Sequence, residues 1–258
     1  MSVVRRDVII GMGASLAGVS LAAVLADPRL ARAAAASLET VTITTEGGQS
    51  VSAALAVPEA TPAAGVMLVH EWWGLNDQMK SVAAELGKLG YLALAIDLHR
   101  GEVASDPERA KELIGALDAA AATDTVKSWL RWLKADTRST GKVASIGWCF
   151  GGGWALNASL AEPVDATVVY YGNVAKTAEE LAPLKGPVLG HFALKDQWIN
   201  QEMVNGFTAA MAKAGKGVEA RWYDADHAFA NPTGGSYDEA DTKAAWERTL
   251  AFLKGTIG

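Results

Sequence analysis

The sequence predicts an α/β protein with a mainly parallel sheet of about eight strands and helices on both faces. Short apolar runs at residues 65–70, 91–96, 143–146, 166–171 and 187–192 alternate with capped or amphipathic helical stretches. Those runs are continuous rather than alternating, as strands buried on both faces require. A glycine-flanked turn, Gly147-Trp148-Cys149-Phe150-Gly151, stands between one apolar run and an Ala-rich helical stretch. The chain has 258 residues, 50% hydrophobic and 20% charged, which suits one α/β domain, placed at residues 37–258. Its net charge of −6 comes without a basic block, which argues against nucleic acid as the main partner.

Taken in order, the chain opens on Arg5-Arg6, an uncharged run from Val8 to Ala26, and an Ala-rich stretch at 31–36. That is the n-, h- and c-region order of a bacterial export signal of twin-arginine type. Residues 1–36 are therefore expected to be removed, leaving a periplasmic or secreted protein with no stable membrane partner; an uncleaved membrane anchor is the alternative. Residues 41–44 and 51–57 read as two strands joined by the turn at 46–49. The buried strand 65–70 runs into the loop Glu71-Trp72-Trp73-Gly74-Leu75-Asn76-Asp77, whose last residues cap a helix over 78–89. Strand 91–96 leads into Asp97-Leu98-His99-Arg100-Gly101, and Asp106-Pro107 starts the next helix. A helix at 123–134 buries Val126, Trp129, Leu130 and Leu133 on one stripe. Beyond the glycine turn, strands are expected at 166–171, 187–192 and 219–223, with helices at 200–214 and 238–253.

In such sheets the functional residues gather in loops at the carboxyl ends of strands. Cys149 is the only cysteine, so neither a disulfide nor a C-x-x-C redox centre is available. It lies in G-x-C-x-G at a strand-to-helix turn, the nucleophile elbow of α/β-hydrolases with Cys in place of Ser. A thiol nucleophile needs a base, and the base needs an acid that fixes its tautomer. The chain order nucleophile, acid, histidine is met by Cys149, Asp196 and His227. Of the other three histidines, His70 and His99 precede the nucleophile and His191 lies within a strand. Asp196 is preferred over Asp224 and Asp226 because the acid should follow the preceding strand. The oxyanion hole is expected from the backbone N–H groups of Phe150 and Trp72. Glu71, in the same loop as Trp72, is placed to accept the thiol proton or to repel the thiolate. The scattered histidines lack metal-ligand spacing, so no metal and no cofactor is expected.

These segments resemble the dienelactone hydrolase family. The likeness rests on G-V-M-L-V-H-E-W-W-G-L-N-D-Q-M-K-S at 65–81, Asp97-Leu98, G-W-C-F-G-G-G at 147–153, and Asp196 with His227-Ala228-Phe229-Ala230. It spans residues 38–255. The resemblance implies an α/β-hydrolase fold and hydrolysis of a small ester or enol-lactone by a Cys149-His227-Asp196 triad through an acyl-thioester, with Glu71 controlling the thiol. It implies a small-molecule partner and a monomer. Two arginines hold the substrate carboxylate in family members that cleave dienelactone. Here Arg100 stands one position away from the first, and Asn231 occupies the place of the second in H-x-F-x-R. Losing a charge-assisted contact there favours a neutral substrate, with Trp72, Trp73 and Trp148 as candidate cleft walls. The alternatives are a general carboxylesterase of neutral esters and a binding protein that retains the fold without turnover.

Overall fold

The computed structural model describes residues 27–258. Those residues hold eight strands and eight helices. They fall into two compact units, one ending at Gly141 and the other spanning Lys142–Gly258. The export-signal reading of residues 1–26 lies outside the described residues.

In the first unit, β1 (Glu39–Thr44) and β2 (Ser50–Ala56) form the expected hairpin, paired antiparallel from Glu39↔Leu55 to Thr44↔Ser50. β2 continues antiparallel onto β4 (Leu92–Ile96), and β4 pairs parallel with β3 (Ala63–Val69). Every residue of β3 and β4 is buried, which explains why both read as unbroken apolar runs. Helix α1 (Pro28–Ala35) packs on α2 (Asp77–Lys88), which lies against β2, β3 and β4. α3 (Pro107–Gly115) and α4 (Ala119–Ala135) follow, and α4 packs on β3 and β4. Each of these helices begins where the sequence supplies a cap. Asn76 accepts from the Met79 N–H, Asp106 from Arg109, and Asp118 from Ala120 and Ala121.

The second unit begins within β5 (Ser139–Trp148), which starts earlier than its apolar core suggests. β5, β6 (Ala166–Tyr170), β7 (Val188–Ala193) and β8 (Val218–Tyr223) pair in that order, all parallel. Alternate residues of β6 and β7 serve opposite faces. Val169 and Phe192 join a core cluster with Leu156 of α5 (Phe150–Ala161), Leu181 of α6 (Ala178–Leu181) and Phe207 of α7 (Gln201–Lys213). Tyr170 and His191 instead reach Thr249 of α8 (Glu239–Thr256), at 2.6 and 3.0 Å. The expected α/β fold with parallel strands is therefore present. Two helices, α1 and α6, were not anticipated from the sequence.

Candidate active site

The second unit builds its site at the ends of β5, β7 and β8. Cys149 sits between β5 and α5 with φ 53° and ψ −120°, a region costly for any residue bearing a Cβ. Its N–H donates to the Tyr170 carbonyl at 3.0 Å, and its own carbonyl accepts from Gly152 N–H at 3.0 Å. Gly147 before it and Gly152 after it are required by close approach. A Cβ on Gly147 would lie 2.0 Å from the Gly151 carbonyl oxygen, and one on Gly152 only 2.8 Å from that of Tyr170. Phe150 opens α5, whose first-turn N–H groups point out of the helix.

His227 follows β8 and makes both connections that a base requires. Its Nδ1 is 2.6 Å from Asp196 Oδ2, and its Nε2 is 3.2 Å from Cys149 Sγ. Asp196, beyond β7, is buried, and its Oδ1 accepts from the N–H groups of Trp198 at 2.8 Å and Ile199 at 2.9 Å. Burial works against its charge, but the His227 contact and the two N–H donors prevail and lower its pKa. Burial likewise penalises the His227 imidazolium, yet Asp196 and Cys149 together outweigh it and raise His227 to about 10. The rival acids point elsewhere. Asp224 pairs with Lys195 at 3.1 Å, and Asp226 is exposed. Around the imidazole stand Tyr171, fully buried at 5.2 Å between ring centroids, and Trp198 at 5.3 Å, both edge-on. Neither ring was singled out in the sequence.

Asn231, four residues after His227, is buried, and its Oδ1 accepts from the Thr233 N–H at 2.9 Å and hydroxyl at 2.7 Å. Trp148, a candidate cleft wall, ends β5. It is buried and stacks on Tyr170 with centroids 5.1 Å apart. The reason is its place in β5, whose neighbour β6 supplies a flat partner on the same face.

The first unit holds the remaining candidates. Glu71 is buried in the turn after β3. His70 fixes that turn: its Nε2 accepts from the Leu98 N–H at 3.0 Å, so its Nδ1 carries the proton and donates to the Glu71 carbonyl at 2.5 Å. Burial is the main cause that lowers His70 to about 3, so it stays neutral. Trp72 and Trp73 meet edge-on at 4.8 Å and pack against Ala104, Ala110 and Leu113. Arg100, at φ 55°, lines a cavity of about 210 Å³ with Asp97, His99, Glu102 and Asp118. Among the described residues, no three His, Cys, Asp or Glu side chains converge as a metal-binding group.

Comparison with known proteins bears on this arrangement. A sequence profile of the dienelactone hydrolase family matches residues 51–257. The chain is 31% identical over 227 residues to a Bradyrhizobium protein named "Probable 2-oxo-3-(5-oxofuran-2-ylidene)propanoate lactonase", covering 80% of this chain and 90% of that one. It is 28% identical over 230 residues to the carboxymethylenebutenolidase of Pseudomonas putida, covering 83% and 95% respectively. Among solved structures, a dienelactone hydrolase-like promiscuous phosphotriesterase from metagenomic libraries superposes with a TM-score of 0.78 at 24% identity. That superposition covers 86% of this chain and 99% of the other, a likeness of fold.

Proposed function

Because the chain belongs to the dienelactone hydrolase family, we propose that it hydrolyses a small ester or lactone with Cys149 as nucleophile, His227 as proton carrier and Asp196 as orienting acid. One observation carries this reading: the continuous chain from Asp196 Oδ2 through His227 to Cys149 Sγ, at 2.6 and 3.2 Å.

Sγ attacks the carbonyl carbon, and the C=O pair moves onto oxygen. The backbone N–H of Phe150, at the positive end of a helix, holds that oxyanion. As the carbon–oxygen bond breaks, His227 Nε2 gives its proton to the leaving oxygen and an acyl-thioester remains. Water then adds to the thioester as His227 takes its proton. Collapse expels the sulfur and releases the acid. Burial opposes the His227 imidazolium, but Asp196 and Cys149 outweigh it and raise it to about 10, so His227 takes the thiol's proton and later gives it to the leaving oxygen. The family resemblance gives Glu71 a part in controlling the thiol.

The substrate reading favours neutral esters and lactones. Asn231 carries no charge and engages Thr233, so it offers no charge-assisted contact to a substrate carboxylate. The chain is further proposed to act outside the cytoplasm after removal of residues 1–36.

Turnover of p-nitrophenyl acetate by wild type and Cys149→Ala tests the chemistry. Loss of turnover with an unchanged circular dichroism spectrum is expected; retained turnover overturns the triad. A panel that includes the anionic dienelactone tests the substrate class, and a strong preference for the anion overturns the argument from Asn231.

A further inference from the structure

Trp198 has the most exposed large apolar side chain among the described residues, at 70%. Exposure alone is unremarkable, since single apolar side chains are common on surfaces. What sets Trp198 apart is how it is held. Its N–H donates to Asp196 Oδ1 at 2.8 Å, while the other oxygen of that carboxylate holds His227 at 2.6 Å. The next residue, Ile199, donates to the same Oδ1 and is buried in the core with Phe192, Val204 and Phe207. Asn200 then caps α7 through the Met203 N–H at 3.0 Å. The backbone under Trp198 is thus fixed on three successive residues, while its indole stands in solvent 5.3 Å from the imidazole centroid. An aromatic ring presented this way loses little further freedom on meeting a ligand.

We propose that Trp198 is one wall of a leaving-group subsite and selects esters whose alcohol part is aryl or otherwise flat and apolar. The inference rests on the proposed role of His227. To be protonated, the leaving oxygen must come within roughly 3 Å of Nε2. Tyr171, the other ring against His227, is fully buried, so of the two it is Trp198 that can meet a substituent on that oxygen. An aryl substituent comes within the roughly 4.5–7 Å centroid range in which aromatic pairs attract. A small alkyl group is too short to cover the indole. Trp198 therefore acts on specificity, and the proton is carried by His227 alone.

The test compares 2-naphthyl acetate with 2,2,2-trifluoroethyl acetate, which share an acyl group and differ in the alcohol. It is run on the full chain as wild type, Trp198→Ala and Trp198→Phe. Hydrolysis of the shared acyl-thioester does not enter kcat/KM, and the ratio of the two values cancels changes in contacts to the common acyl group. In Trp198→Ala that ratio should fall roughly three- to tenfold against the aryl ester, the range an aromatic contact supplies. Trp198→Phe should restore most of it. Binding of 2-naphthol, measured by equilibrium dialysis, should weaken in parallel. An unchanged ratio with unchanged naphthol affinity, whether both rates fall together or neither moves, overturns the proposal. If wild type cleaves neither ester, the triad reading fails, and the naphthol measurement alone decides whether Trp198 forms an aryl subsite.

Discussion

At the level of single residues, the site turns on one carboxylate with two jobs. Asp196 Oδ2 holds His227 while Oδ1 ties down the loop through Trp198 and Ile199. Asp196→Asn keeps the shape but removes the charge and lets the amide select the wrong imidazole tautomer. In other triads that change lowers kcat on the order of 10⁴-fold, and a loss of similar scale is expected here. The pH dependence has a definite sign. Burial lowers the His227 pKa, and Asp196 and Cys149 raise it further, to about 10 from an ordinary 6.5. Its contribution to stability is complete below the ordinary value and is lost as pH rises through about 10. Rates of acyl transfer should fall over the same range as the leaving group loses its proton donor. In Asp196→Asn this alkaline limb should move to lower pH, as read from kcat/KM profiles and from the His227 ring resonances. A limb that stays in place would mean that Asp196 does not set the histidine. The sequence made Cys149, Asp196 and His227 legible because chain order constrains them. It was silent on Tyr171 and Trp198, because nothing in the residues around an aromatic side chain says whether it faces core, solvent or another ring.

At the level of elements, the elbow is a compromise between placing a nucleophile and relaxing the backbone. Cys149 at φ 53° and ψ −120° stores strain that only a residue without a Cβ would escape. Cys149→Gly is therefore expected to be at least as stable as Cys149→Ala, reversing the usual advantage of alanine beside a helix of roughly 1 kcal/mol. Urea denaturation of the two inactive variants reads the difference directly. A clear advantage for alanine would show that the elbow is not strained. The first glycine was readable from sequence because G-x-C-x-G has one mechanical purpose, and the close approach at Gly147 bears that out. The long parallel strands were equally legible as unbroken apolar runs. α6 was missed since it has only four residues (Ala178–Leu181), held by a capping box between Thr177 and Glu180. So short a segment shows no periodicity. β5 was drawn short because its first residues, Ser139 to Lys142, are polar and largely exposed.

At the level of the whole molecule, α1 bears on where the mature chain begins. Residues 31–36 read as a cleavage region because they are Ala-rich, and alanine is also the best helix former. In the structure Asp27 accepts from the Arg29 N–H at 2.8 Å and caps the helix Pro28–Ala35. Ala31 and Ala34 are its buried residues, and Ala34 meets Ala84 of α2 beside Leu30 and Leu38. Cleavage just after Ala36 would remove that helix, so the export proposal requires α2 to hold without it. The apolar contact at stake is small: two buried methyl groups and a partly buried leucine are worth about 2 kcal/mol together. No residue of α1 is among those assigned to the reaction. A chain beginning at Ser37 should therefore fold and cleave p-nitrophenyl acetate as the longer chain does, with stability lower by about 1–2 kcal/mol in urea denaturation. Failure to fold would make α1 part of the mature protein and move any cleavage upstream of Asp27.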